Sequence, residues 1–250
     1  MPPKAKTAVR AGETSPGHVA ILGLGPTLAD YLHVAKCLGG RKAFCDQVWG
    51  INAVGGVLQC DLVFHMDDVR VQERRARANP GGNIDRMLEW MRAYKGRIVT
   101  SRPHPRYPAL EAFPLQQLLD ETGSLYLNST GAYAVAYAVL RGARRISLFG
   151  IDYSYAHSHH AEKGRACFEF WLGVAHARGI QIAISKASPL MDSVVPKGEK
   201  LYGYDTLDVD SKMDGKRRVL HFTPKTKFAT AAEIERRYDH SRPTIETPAE

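Results

Sequence analysis

From His18 to about Ser193, short apolar runs alternate with helix-length amphipathic stretches. His18–Leu24, Gln47–Asn52, Leu62–Met66, Arg97–Ser101, Leu125–Leu127, Arg145–Phe149 and Gln181–Ile184 read as strands, each short and bounded by turn-forming or charged residues. Between them, Thr27–Leu38, Asn83–Tyr94, Leu115–Glu121, Thr130–Arg141 and Glu162–Arg178 read as helices. Thr27 is placed as an N-cap and Gly179 as a stop. Strands alternating with helices predict an α/β, Rossmann-like fold, a mostly parallel sheet with helices on both faces. Ligands of such sheets sit beyond the carboxyl ends of the strands.

The flanks differ from this core. Met1–Gly17 is polar, basic and rich in Pro and Gly, which predicts a disordered tail with no apolar stretch of a secretory signal. From residue 194 to 250 the chain has mixed charge, scattered prolines and one clear helix, Ala231–Tyr238. Thr230 and Glu233 are spaced as a capping box at its start. The expected organisation is a tail over 1–17, a nucleotide-binding catalytic domain over 18–193, and a small C-terminal appendage over 194–250. That appendage would act as a lid or an oligomerisation segment, the latter making the protein a homo-oligomer.

Composition narrows the class. At 250 residues, 44% apolar and 24% charged, the chain can bury a full core as a soluble globular protein. No apolar run approaches the roughly 20 residues of a membrane span. Cys37, Cys45, Cys60 and Cys167 lie far apart and read as reduced thiols, so a cytoplasmic location is expected. The net charge of +8 is regional: Arg70, Arg74, Arg75 and Arg77 begin a basic stretch that runs to Arg106, against only Glu73, Asp85 and Glu89. Such a patch over 70–106 attracts nucleic acid, an anionic donor or an acidic acceptor. A solvated helical face is the plain alternative.

Candidate chemistry falls at the strand ends. Gly23-Leu24-Gly25-Pro26-Thr27 follows the first strand; its glycines let backbone approach a phosphate, and Pro26 suits a first helical turn. It is not a GxGxxG sequence, so a nicotinamide dinucleotide is not expected. Asn52 ends the second strand, where an amide can bond a base, ribose or phosphate. Asp67-Asp68 follows the third strand and can hold Mg²⁺ between phosphate oxygens, bond sugar hydroxyls, or merely cap a helix. His65, inside that strand, reads as a packed histidine. Asn128-Ser129-Thr130-Gly131 opens the alanine-rich helix as a second anion-accepting turn, with capping as the alternative. Asp152, Tyr153, Tyr155, His157, His159, His160 and Glu162 form the densest chemical cluster. A tyrosine hydroxyl there can steady a departing phosphate, and a histidine can deprotonate an acceptor hydroxyl.

Taken in order, Gly23-Leu24-Gly25-Pro26-Thr27-Leu28, strand-end Asn52, strand-end Asp67, Ser129-Thr130-Gly131 and Ile146-Ser147-Leu148-Phe149-Gly150-Ile151-Asp152 resemble two related groups. One is the bacterial sialyltransferases of glycosyltransferase family 42. The other is the MptE-like superfamily, which includes 6-hydroxymethylpterin diphosphokinases, flagellin-associated glycosyltransferases and many phage proteins. The resemblance spans about His18 to Ser193. It implies that Gly23, Gly25, Asn52, Ser129 and Thr130 hold a nucleotide and that Tyr153 and Tyr155 contact its phosphate. It also implies that one of His157, His159 and His160 is the base, and that Ser188-Pro189-Leu190 matches a serine-containing turn.

The expected function is therefore a transferase using a nucleotide-activated sugar, with no tightly bound cofactor. Its acceptor would be anionic, with modified phage DNA one candidate. An ATP-dependent diphosphokinase using Mg²⁺ at Asp67 and Asp68 is the alternative, and a non-catalytic nucleotide-binding module the third reading.

Overall fold

The structure is a computed structural model that describes residues 14–153, 158–195, 200–204, 206–227 and 230–233. It divides into two compact units, Met1–Val194 and Val195–Glu250.

The first unit is built on seven parallel strands in the order β5-β4-β3-β2-β1-β6-β7. These are β1 (His18–Leu22), β2 (Gln47–Ile51), β3 (Leu62–Phe64), β4 (Ile98–Thr100), β5 (Leu110–Ala112), β6 (Arg145–Phe149) and β7 (Gln181–Ile184). The side-chain alternation of each strand feeds two faces. Val19, Ile21, Trp49, Phe64 and Val99 pack on one face with Val135, Phe168 and Trp171 from the helices α6 (Thr130–Leu140) and α7 (Ser158–Ala177). On the other face, Val63 and Ile98 pack with Leu88 and Met91 of α4 (Asn83–Ala93) and with α3 (Val69–Ala78). There too, Ala20, Leu22 and Val48 pack with Tyr31 of α1 (Leu28–Cys37). Alanines along α6 bring that helix close to the strands, and Tyr137 stacks in the gap against Trp49 and Phe64.

The helix after β1 lies on one face and the helix before β6 on the other, although β1 and β6 are neighbours in the sheet. The strand order therefore reverses between β1 and β6. Loops diverge there and leave a crevice at the carboxyl ends.

The α/β, Rossmann-like expectation holds, with a small antiparallel hairpin toward the C-terminus. Several element assignments change. Leu125–Leu127 is not a strand. The Tyr126 carbonyl accepts from Trp171 Nε1 at 2.7 Å, and the Asn128 N–H donates to Cys167 Sγ, so this segment is bonded to α7 rather than to the sheet. The outer strand is instead Leu110–Ala112, framed by Pro108 and Pro114, and an edge tolerates such flanking prolines. The basic run Val69–Ala78 is a helix whose inward positions include polar Gln72 and Glu73, which hides its period. A further short helix, α2, spans Arg41–Phe44, and α5 (Leu115–Thr122) ends at Gly123 in the left-handed region.

The second unit contains β8 (Leu207–Asp214) and β9 (Arg217–Pro224), paired antiparallel around Gly215-Lys216, with Gly215 at φ +58°. Farther on, the capping box forms: the Thr230 N–H donates to Glu233 Oε2 at 2.7 Å, and the Glu233 N–H donates to Thr230 Oγ1 at 3.3 Å.

Candidate active site

The crevice at the switch point has a volume of about 420 Å³. It is lined by Gly23–Pro26 after β1, Ile51–Ala53 after β2, Ser129–Gly131 at the start of α6, and Gly150–Tyr153 after β6. Segments more than a hundred residues apart thus share one cavity. Of the residues singled out in the sequence, Gly23, Gly25, Pro26, Asn52, Ser129, Thr130, Gly131, Asp152 and Tyr153 line it.

The glycine loop is zipped to the loop after β6. Gly23 N–H donates to the Phe149 carbonyl and Gly25 N–H to the Gly150 carbonyl, both at 2.8 Å. A Cβ on Gly23 would run into the Gly150 carbonyl, and a Cβ on Gly150 into that of Gly23. Gly150 also sits at φ +67°, a region costly for other residues. These glycines exist for close backbone approach between the two loops. Their N–H groups are committed, so the loop supplies a wall rather than the free anion donors expected of it.

Thr27 and Asp152 complete this latch. Asp152 accepts from Thr27 N–H at 2.9 Å and from Thr27 Oγ1 at 2.6 Å, and Thr27 Oγ1 accepts from Gly150 N–H at 2.7 Å. Both side chains are buried. Thr27 therefore does not cap α1 with its hydroxyl, nor does it line the crevice. Asp152, expected as a catalytic group, has both carboxylate oxygens held by Thr27 and acts here as the clamp of the loop.

The second candidate turn opens α6. Ser129 is its N-cap, and its Oγ accepts from the Ala132 N–H at 3.3 Å. The first N–H groups of a helix have no partner within it, and Thr130 and Gly131, which open α6 at the positive end of its dipole, line the crevice. Tyr153 stands across from them, its hydroxyl 3.2 Å from Ser129 Oγ. Its ring rests against Gly164, where a Cβ would come within 2.7 Å, and near Phe168. Two lining residues adopt left-handed backbone without being glycine: Asn52 at φ 53° and Tyr153 at φ 46°. Such strain collects at functional sites. Among the described residues lining the crevice there is no Lys or Arg, and the one carboxylate is the clamped Asp152.

The other expected residues are placed differently. Asn128 is exposed and does not line the crevice. Neither Asp67 nor Asp68 lines it either. Asp68 caps α3, accepting from Arg70 N–H at 3.0 Å, and pairs with the Arg70 guanidinium at 2.7 Å. That hydrogen bonding holds its carboxyl down to about 2. Capping is the role seen for Asp68, and a metal at Asp68 would have to displace Arg70. Among the described residues no cluster of three metal-ligating side chains occurs. Ser188 accepts from the Leu190 N–H and closes its own turn. Tyr155 and His157 fall outside the described residues. His159 and His160 fall in the first turn of α7, their side chains outside the description.

The basic patch is partly spent inside the fold. Arg97 pairs with Glu111 at 2.8 Å, Arg106 with Glu73 at 2.5 Å, and Arg92 lies over the Tyr107 ring. Arg74, Arg75 and Arg77 on α3 stay exposed. The four cysteines are free thiols, and burial pushes Cys60 up to about 11. No helix among the described residues is long and apolar enough to cross a membrane.

A larger groove, about 970 Å³, lies at the opposite, amino ends of the strands, beside His18, Lys42, Arg144, Arg145 and Arg178. It is an open surface channel without strained backbone. The crevice, smaller but built by loop convergence, is the better site on physical grounds. Sequence reading missed Leu24, Ile51, Ala53, Gly150 and Ile151 as lining residues. Gly150 carried a usable signal, a glycine directly after an apolar strand.

No family model matches the sequence, and no curated protein matches it. Solved structures similar to this chain include the sialyltransferase CstII from Campylobacter jejuni with the substrate analogue CMP-3FNeuAc. The TM-score is 0.43 and the identity 17%, over 70% of this chain and 83% of that one. CstII with cytidine-5'-monophosphate gives 0.42 and 16% over the same shares. A point mutant of the alpha-2,3/8-sialyltransferase CstII gives 0.41 and 13%, over 88% of this chain and all of that one.

Proposed function

We propose that this chain is a transferase that moves a sugar from a nucleotide-activated donor to an acceptor hydroxyl. The observation supporting it is the convergence of Gly23, Gly25, Asn52, Thr130, Gly131 and Tyr153 on one crevice at the switch point. A crevice lined by no described cation, with one open helix N-terminus and a phenol, suits a single phosphate better than a triphosphate. That favours a sugar carried on a nucleoside monophosphate over ATP-dependent diphosphate transfer.

In this reading the donor phosphate rests on the N–H groups of Thr130 and Gly131. Ser129 Oγ, already accepting from Ala132, orients the Tyr153 hydroxyl, whose proton points at the leaving oxygen. As the bond between the anomeric carbon and the phosphate oxygen breaks, charge grows on that oxygen and the phenol stabilises it. Tyr155 shares this task. A histidine among 157, 159 and 160 takes the acceptor proton as the new carbon–oxygen bond forms. The test is a thermal-shift screen of CMP-, UDP-, GDP- and dTDP-sugars and ATP, each with and without Mg²⁺. A sugar nucleotide at a hundred times its Kd adds about 2.7 kcal/mol to native stability. The reading expects such a gain without Mg²⁺. A gain with ATP and Mg²⁺ alone would replace it with the diphosphokinase.

A further inference from the structure

Among the described residues, four buried side-chain polar atoms have no hydrogen-bond partner: Asn52 Oδ1, both ring nitrogens of His65, and Thr100 Oγ1. They belong to three residues that sit together at the carboxyl ends of the adjacent strands β2, β3 and β4. Ile51 pairs with Phe64, and Phe64 with Val99, across three adjacent parallel strands. Asn52, His65 and Thr100 each follow one of these residues in the chain, Asn52 opening the turn after β2 and His65 standing just past β3. The His65 N–H continues the ladder, donating to the Val99 carbonyl at 2.9 Å. Asn52 also lines the crevice.

Native interiors rarely leave such groups unpaired, and three such residues at adjacent strand ends beside the crevice point to a ligand. We infer that Asn52, His65 and Thr100 form the inner wall of a subsite that recognises hydroxyl groups of the transferred sugar. This rests on the reading of the crevice as a nucleotide-sugar site.

The chemistry of these side chains selects their occupant. An amide, a neutral imidazole and a hydroxyl each donate and accept. Burial favours the neutral form of His65, only 2% exposed, over its cation. The three side chains carry no charge of their own, and the Asp67 carboxylate that acts on His65 would repel a phosphate; an apolar occupant would leave these atoms unpaired. Sugar hydroxyls, each a donor and an acceptor, match them. His65 and Thr100 are closed to solvent, so the subsite requires the turn Asn52–Gly56, which packs on β3, to move aside. Asn52, strained at φ 53°, is the first residue of that turn.

The test uses the full chain and two variants, Thr100→Val and His65→Leu. Calorimetry measures CMP, UDP, GDP and dTDP alone, and CMP-N-acetylneuraminate, UDP-glucose, GDP-mannose and dTDP-glucose. The expected result is one sugar nucleotide that binds wild type about tenfold tighter than its bare nucleotide. Thr100→Val and His65→Leu should cut that increment to about threefold or less and leave bare-nucleotide affinity within about twofold. Both variants should melt at or above the wild-type temperature, because an unpaired buried polar group costs stability. A sugar increment that survives both variants, or bare nucleotides that bind with no increment at all, overturns the subsite and leaves the nucleotide reading standing. A fall in Tm of more than about 5 °C in Thr100→Val also overturns it, since the hydroxyl then serves the fold. If no nucleotide binds wild type in either form, the nucleotide reading and the subsite fall together.

Discussion

Replacing Thr27 with Val removes one oxygen and keeps the shape of the side chain. That oxygen is the centre of the latch between the loops after β1 and β6: it donates to Asp152 Oδ1 at 2.6 Å and accepts from Gly150 N–H at 2.7 Å. A hydrogen bond to a buried carboxylate contributes about 1.5–3 kcal/mol and a neutral one about 0.5–1.5. Val leaves Gly150 N–H and one Asp152 oxygen buried without this partner. The summed loss is about 2–4 kcal/mol. For a unit of this size each kcal/mol shifts Tm by roughly 2–4 °C, so the expected drop is roughly 5–15 °C. Circular dichroism melts of wild type, Thr27→Val and Thr27→Ser measure it. Ser restores the oxygen, so it should recover most of the loss, short of about 1 kcal/mol for the missing methyl. Nucleotide affinity should fall in Thr27→Val, because Gly150–Tyr153 lose their tether. A Val variant that melts within about 1 °C of wild type would refute the latch.

Gly23→Ala places a methyl on the Gly150 carbonyl, where neither backbone can retreat, and urea unfolding should show a loss of at least about 2–3 kcal/mol. Tyr153→Phe keeps the ring beside Phe168 and removes only the hydroxyl. Its kcat for sugar transfer should fall about 10²–10³-fold while Tm moves by only a few degrees, and an unchanged kcat would remove the phenol from the chemistry. Stability should also decline on acidification. Burial holds His65 and His18 below their ordinary 6.5, so the unfolded chain binds more protons than the folded one as pH falls through that value. Melting curves from pH 7 to 5 should drop, and His65→Leu should flatten the drop; equal slopes in the two proteins would count against a neutral buried imidazole.

Legibility in the sequence followed physical simplicity. Strands such as Arg145–Phe149 carry apolar runs between turn residues, and their ends marked the crevice. Ser129 read first as part of an anion-accepting turn, with a cap as the alternative, and it is the cap of α6. What stayed hidden depended on pairing across distance. Nothing local in Thr27 or Asp152 says that they bond each other 125 residues apart, so one looked like a cap and the other like an acid. Leu110–Ala112 has no β-branched residue and becomes a strand only because β4 stands beside it. The helix Val69–Ala78 buries Glu73, whose partners Tyr107 and Arg106 lie in a later loop, and its period was masked by that polar contact. The β8–β9 hairpin did leave a trace, Asp214-Gly215 between two alternating runs. His65 read as packed, and only the three-dimensional surroundings of its ring show that it is also unpartnered.

The central claim is that a nucleotide phosphate rests at the start of α6 in the switch-point crevice. Backbone amide NMR of ¹⁵N-labelled protein titrated with CMP and with the best sugar nucleotide tests it most directly. The account predicts the largest shifts at Thr130, Gly131, Asn52 and Gly150. Shifts centred instead on Lys42, Arg144, Arg145 and Arg178 at the opposite edge of the sheet would contradict it.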